Sequence, residues 1–136
     1  GWCGRFNFKF QISNFKMDKT DLQQRTKKFA LRIIKLVQAL PKTTAGRAVG
    51  NQLIRCGTSV GANYRAVCRA RSDAEFIAKL GIVIEEADES VFWLEIIIDA
   101  QLLSTKLVES LLQETKEILA IMIASSNTAQ KKAKRK

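Results

Sequence analysis

The sequence predicts an all-α protein: one domain built as an antiparallel up-and-down bundle of four helices. Three observations carry this. Apolar residues recur every three or four positions along four long stretches. One proline and seven glycines leave little material for loops, so the stretches are parted only by brief punctuation. No alternation of period two competes as a strand pattern. Helices joined by connections of a few residues pack as antiparallel neighbours. The chain has 136 residues, 46% of them hydrophobic, which suits a single domain with a real core.

The first helix is expected over about 21–40. Leu22, Thr26, Phe29, Ile33, Leu36, Val37 and Leu40 fall at helical spacing, with Thr20 or Asp21 as cap. Pro41 ends it, because proline disfavours a helical conformation in the residue before it. The second is expected over about 44–71, on an apolar stripe of Val49, Leu53, Cys56, Val60 and Val67. Ser72 caps the third, with Glu75 three residues on as its capping-box partner. That helix continues to about Leu103, with Leu80, Ala87, Leu94 and Ile98 inward. The fourth follows Ser104 to about Thr128, with Leu107, Leu111, Ile118, Met122 and Ser125 inward. The bundle domain is therefore 17–130. Residues 1–16, three of them basic and none acidic, precede Met17 and are expected to lie outside the native domain. Residues 131–136, KKAKRK, are expected to form a disordered basic tail.

The formal charge of +10 is unevenly spread. Residues 17–80 hold thirteen basic and four acidic side chains, whereas 81–130 hold two basic and nine acidic ones. The folded part should be strongly dipolar, which bears on partner choice rather than on fold. Histidine is absent, and the cysteines (Cys3, Cys56, Cys68) are odd in number without a CxxC spacing. Neither a zinc site nor a disulfide framework is expected, no cofactor is implied, and a reducing cytoplasm fits. The apolar runs are too short to span a bilayer, so no membrane partner is expected. The carboxylates Glu85, Glu86, Asp88 and Glu89 lack a histidine or nucleophile beside them, so pairing with arginines is expected and catalysis is not.

Four groups carry the functional expectations. On a helical wheel Arg47, Arg55, Arg65 and Arg69 fall within about 80° of one another, over about 33 Å of axis. Such a row either tracks a phosphate backbone or forms a salt-bridging face. Lys131, Lys132, Lys134, Arg135 and Lys136 read as an electrostatic arm for nucleic acid or as a solubilising end. In the segment VFWLEIII, Phe92, Trp93 and Ile96, with Leu103 beyond, point away from the inward stripe. A helix apolar on both sides is buried on both, which points to a subunit interface unless the third helix is central. Gly57 and Gly61, four apart, open one side of the second helix for close packing, where Asn63 and Tyr64 could bond across the contact. A phosphate-loop reading of this segment fails, because it has no GK[ST] and follows no strand.

The runs RTKKFALRIIKLV (25–37), QLIRCGTSVGANYRAVCRARSDAEFIAKL (52–80), EEADESVFWLEII (85–97) and ETKEILAIMIASSNTA (114–129) resemble the bacterial four-helix-bundle proteins, also called 23S rRNA-intervening sequence proteins. The resemblance covers about 17–130 and implies a bundle assembling as a ring-like homopentamer. It implies no enzymatic activity. A related branch serves as the accessory protein of diversity-generating retroelements, binding nucleic acid and a reverse transcriptase. The matching arginines are Arg55, Arg65, Arg69 and Arg71, and the matching acids Glu86, Asp88 and Glu95. Ala66, Cys56 and Glu85 depart from the family pattern, and the changes at 66 and 85 put any carried-over charge pairing in doubt. The resulting expectation is a non-enzymatic oligomer that binds RNA or DNA with low sequence specificity through its basic surface and tail. The competing one is a scaffold that docks a protein partner.

Overall fold

A computed structural model describes residues 10–12 and 15–135. Four helices form the body: α1 Lys19–Gln38, α2 Thr44–Val67, α3 Asp73–Asp99 and α4 Thr105–Lys134. Each packs on the next in sequence, and α4 returns to α1 over a shorter stretch, closing an all-α four-helix bundle. Before it, strands β1 Phe10–Ile12 and β2 Phe15–Met17 pair antiparallel, with Phe10 opposite Met17. This hairpin departs from the strand-free expectation. The run RFNFKFQI does alternate apolar with polar residues, which is the period of a strand. Most of the 1–16 extension lies outside the described residues.

Three of the four helices start where a side chain takes up an orphan amide; Ser104, before α4, makes no such bond. The α1 cap is Asp18 rather than Thr20 or Asp21. Its carboxylate accepts from the Asp21 amide at 2.9 Å, and Asp21 accepts from the Asp18 amide at 3.3 Å. Thr43 caps α2 by accepting from Gly46 N at 3.1 Å. Ser72 caps α3 by accepting from Glu75 N at 3.0 Å. Helix ends diverge further from expectation. Cys68 closes α2 after Val67. α3 stops at Asp99, because Gln101 takes a left-handed conformation (φ 57°). The Leu102 amide then reaches Ile97 O and the Gln101 amide Ile98 O, each at 3.0 Å, a Schellman closure without its usual glycine. α4 runs past Thr128 to Lys134, so Lys131, Lys132 and Lys134 lie on a helix rather than in a disordered tail. Ala129 is buried there and alanine and lysine favour helix, so the buried stripe carries the chain onward.

The core is a column of fully buried side chains, among them Phe29, Ile33, Leu53, Phe76, Leu80 and Ile118. Buried hydroxyls are satisfied within their own helices: Thr26 donates to Leu22 O, Thr115 to Leu111 O and Ser125 to Ile121 O. Two inward assignments change. Ile97, not Ile98, is fully buried in α3. Leu107 is 62% exposed while Val108 is buried, because the inward stripe of α4 runs 108, 111, 115, 118 and 122. No described helix is long and apolar enough to cross a membrane.

Candidate nucleic-acid interface

The contact between α1 and α2 is set by glycines. A Cβ at Gly50 would lie 3.2 Å from Val37 Cγ1, one at Gly57 2.8 Å from Ile33 Cγ1, and one at Gly61 3.2 Å from Thr26 O. At Gly61 the second helix therefore rests almost on the backbone of the first. The outer side of this contact is floored by small residues, Ala30, Gly61 and Ala62, so it forms a shallow trough. Lys27 rises from α1 on one wall, and Arg65 and Arg69 from α2 on the other. The trough continues into a second hollow walled by Lys19, Thr20 and Gln23, with Arg65 and Arg69 again opposite. The two hollows are about 380 and 370 Å³ and share Gln23, Arg65 and Arg69.

Local sequence explains the alignment. Lys19, Gln23 and Lys27 stand four residues apart, so they form one row along α1. Arg65 and Arg69 form the matching row on α2, about 6 Å apart along the axis. Among the described residues, no carboxylate lies within 4.0 Å of the Lys27, Arg65 or Arg69 cation. Sequence reasoning missed Lys19, Gln23 and Lys27. Their i, i+4, i+8 spacing was visible, but not the fact that it faces the arginines.

The predicted arginine row is split. Arg55 is turned toward α3, where its guanidinium contacts Glu86 at 3.4 Å and makes a close ion pair with Glu89. Trp93 Nε1 also donates to Glu89 Oε2, at 3.2 Å. Arg47 is exposed near the other end of α2, beside Pro41 and Lys42. Arg71 is exposed in the turn before α3, its backbone amide donating to Glu75 Oε2 at 3.2 Å. Lys131, Lys132 and Lys134 are exposed on the last turns of α4, with Arg135 at its C-cap; Lys136 lies outside the described residues.

The other predicted groups are also distributed. Tyr64 is buried, and Asn63 Nδ2 donates to Ser59 O of its own helix at 2.8 Å, so it does not bond across to α1. Phe92 is 51% exposed and stands edge-on to the half-buried Trp93, ring centres 4.9 Å apart. Ile96 is half-buried one turn further. Leu103 lies beyond α3 and faces a different groove, with Leu36, Leu107 and Leu111, so it does not join the Phe92 face. Of the acidic cluster, Glu86 and Glu89 hold Arg55, while Glu85 and Asp88 stay exposed.

Two pairs fix the remaining electrostatics. Arg25 on α1 grips Glu114 on α4 through two bonds, Nε to Oε2 at 2.8 Å and Nη2 to Oε1 at 2.5 Å. That hydrogen bonding raises the arginine's pKa above its ordinary value, outweighing the opposing effect of burial. The Cys56 thiol is pushed up by burial, against a bond from Ser90 Oγ at 3.3 Å that lowers it. Cys56 is a free thiol, and among the described residues no group of three or more possible metal ligands gathers.

Comparison with known proteins relates the chain to one family and to solved structures. The family model for 23S rRNA-intervening sequence proteins matches residues 18–124. A crystal structure described as a protein with unknown function from the S23 ribosomal protein family, from Bacteroides thetaiotaomicron VPI-5482, superimposes with a TM-score of 0.72. It is 33% identical and covers 77% of this chain and 97% of its own. No curated protein matches.

Proposed function

We propose that this chain, which belongs to the 23S rRNA-intervening sequence protein family, is a non-enzymatic nucleic-acid-binding protein of low sequence specificity. The observation that carries this reading is the trough between α1 and α2, where Lys27, Arg65 and Arg69 converge without a carboxylate partner among the described residues. Guanidinium and ammonium groups so placed suit phosphate, which they bind by charge-assisted hydrogen bonds. The exposed lysines on the last turns of α4 add to the same field. The setting proposed is the cytoplasm, in keeping with the buried free thiol of Cys56.

In this reading the helices run antiparallel, up and down. The contacts support it: partners on α1 fall from Leu40 through Ile33 to Thr26 as α2 climbs from Gly50 through Gly57 to Gly61. Copies assemble through the outer face of α3, where Phe92 and Ile96 lie among Glu85, Asp88 and Asp99, and a ring of five is the assembly that the family resemblance implies. Assembly multiplies the basic troughs and so raises avidity without any single strong site. Fluorescence anisotropy with a structured RNA and a DNA duplex tests the binding, and absence of binding at low salt rejects it. Light scattering tests the assembly: Phe92→Asp should lower the particle mass, and a wild-type mass of one copy rejects it. A second reading, a scaffold that docks a protein partner, draws on the same exposed Phe92.

A further inference from the structure

We infer that the α1–α2 trough seats one sugar–phosphate strand of a double helix and discriminates by charge density rather than by base. This rests on the nucleic-acid reading above and narrows it to one surface and one form of ligand. The trough offers two kinds of group. Lys19, Lys27, Arg65 and Arg69 supply cations, and Gln23 and Thr20 supply uncharged donors. All of these suit phosphate or sugar oxygens, which fix position without reading sequence.

What lines the trough decides between duplex and single strand. Single-strand binders gain much of their affinity by stacking bases on aromatic rings. The described residues along these walls and floor include no aromatic side chain, and the small Ala30, Gly61 and Ala62 give a base face little to cover. Phe92 and Trp93 belong to α3, and no α3 residue is among the described lining of the trough. A site that reads only charge favours the denser polyanion. A duplex carries one charge per about 1.7 Å of axis, against about 3.4 Å for each strand alone. The arginine rows also lie outside the core, so they can be changed without touching the fold: Arg65 and Arg69 are exposed.

The test uses the full chain and anisotropy titrations across salt concentrations. The probes are a 20-base-pair RNA duplex, the matching DNA duplex and an unstructured single strand of equal length. Both duplexes should bind at least about tenfold more tightly than the single strand at 0.1 M salt. The triple variant K27Q/R65Q/R69Q should bind the duplexes at least about tenfold more weakly. Its slope of log affinity against log salt should be shallower by about three, near one per cation lost. The Lys116→Gln variant, an exposed change on α4, should match wild type. Circular dichroism confirms that the triple variant is folded. Equal or tighter binding of the single strand overturns the inference. So does an unchanged slope in the triple variant while K131Q/K132Q/K134Q loses affinity, an outcome that leaves the nucleic-acid reading standing. No binding of any probe by wild type overturns both.

Discussion

Replacing Gly57 by alanine should destabilise the bundle, and replacing Gly81 by alanine should stabilise it. Both glycines lie inside helices, where alanine is favoured by about 1 kcal/mol. Their surroundings give the substitutions opposite signs. A Cβ at Gly57 would stand 2.8 Å from Ile33 Cγ1, 2.9 Å from Cγ2 and 3.2 Å from Cδ1. Carbon atoms rest at about 3.5–4.0 Å, so all three are too close. Ile33 is fully buried and β-branched, with one strongly preferred rotamer in a helix, so it cannot swing aside. Overpacking of this kind costs about 1–3 kcal/mol, which leaves a net loss of up to about 2 kcal/mol after the propensity gain. At Gly81 nothing lies within 4 Å, and the full gain of about 1 kcal/mol should appear.

Urea unfolding followed by circular dichroism reads both changes as shifts in midpoint at constant slope. The diagnosis for Gly57 can be checked by removing the obstacle. Ile33→Ala deletes all three crowded atoms and alone should cost about 2–5 kcal/mol. In the Gly57→Ala background it should cost at least about 1 kcal/mol less, since the new methyl then sits in vacated space. A Gly57→Ala protein as stable as wild type, with no coupling to Ile33, would refute the claim that the two helices touch there.

Three further outcomes follow from local geometry. Gln101→Gly should raise stability by about 1 kcal/mol in the same urea assay, because it relieves a left-handed conformation at a residue with a Cβ. Val108→Ala should cost about 2 kcal/mol while Leu107→Ser changes stability by less than about 0.5 kcal/mol; the reverse order would mean the inward stripe of α4 is misassigned. The Glu75 carboxyl is held below its ordinary range first by Lys79 at 2.8 Å and then by the Arg71 amide. A depressed folded pKa contributes stability above the unfolded value and loses it as pH falls through the folded one. An NMR titration should therefore find Glu75 titrating low, and Lys79→Met should move its midpoint up; no movement would exclude Lys79 as the main cause.

The helices and most of the core were legible because the 3.6-residue period is long-lived in this chain. Leu22, Phe29, Ile33, Leu53 and Leu80 repeat it over several turns, and each is fully buried. Legibility failed where the period had nothing to anchor it. At the start of α4, Leu107 and Val108 are adjacent and both apolar, so only the stripe further along the helix chooses between them. At the end of α3 the stop comes from Gln101, a residue type with no stop signal, because its left-handed conformation is imposed by the turn. The first strand of the hairpin was written in the apolar–polar–apolar order of Phe10, Gln11 and Ile12, but the two strands are three residues each and easily passed over. The basic trough was half legible. Arg65 and Arg69 stand out on one wheel, but the row Lys19, Gln23, Lys27 acquires meaning only from the register between helices, which Gly61 sets against Thr26.

The fate of Arg55 shows why a single-helix reading overcounts a basic face. Ten residues separate Arg55 from Arg65, which turns their side chains about 80° apart around α2. On a wheel that arc looks like one stripe. In a bundle, α2 has a neighbour on each side, so 80° is enough to divide the stripe between them. Arg55 is carried toward α3, where Glu86 and Glu89 stand one turn apart and neutralise it. Arg65 is carried toward α1, where the described side chains beside it include Gln23 and Lys27 and no described carboxylate lies within 4.0 Å of its cation. The acidic half of the chain thus cancels the cations on the side of α2 that faces it. The charge imbalance read from the sequence survives on the α1 side, where like charges gather around a floor of alanine and glycine. Arg55→Gln should accordingly remove an exposed pair worth no more than about 1 kcal/mol.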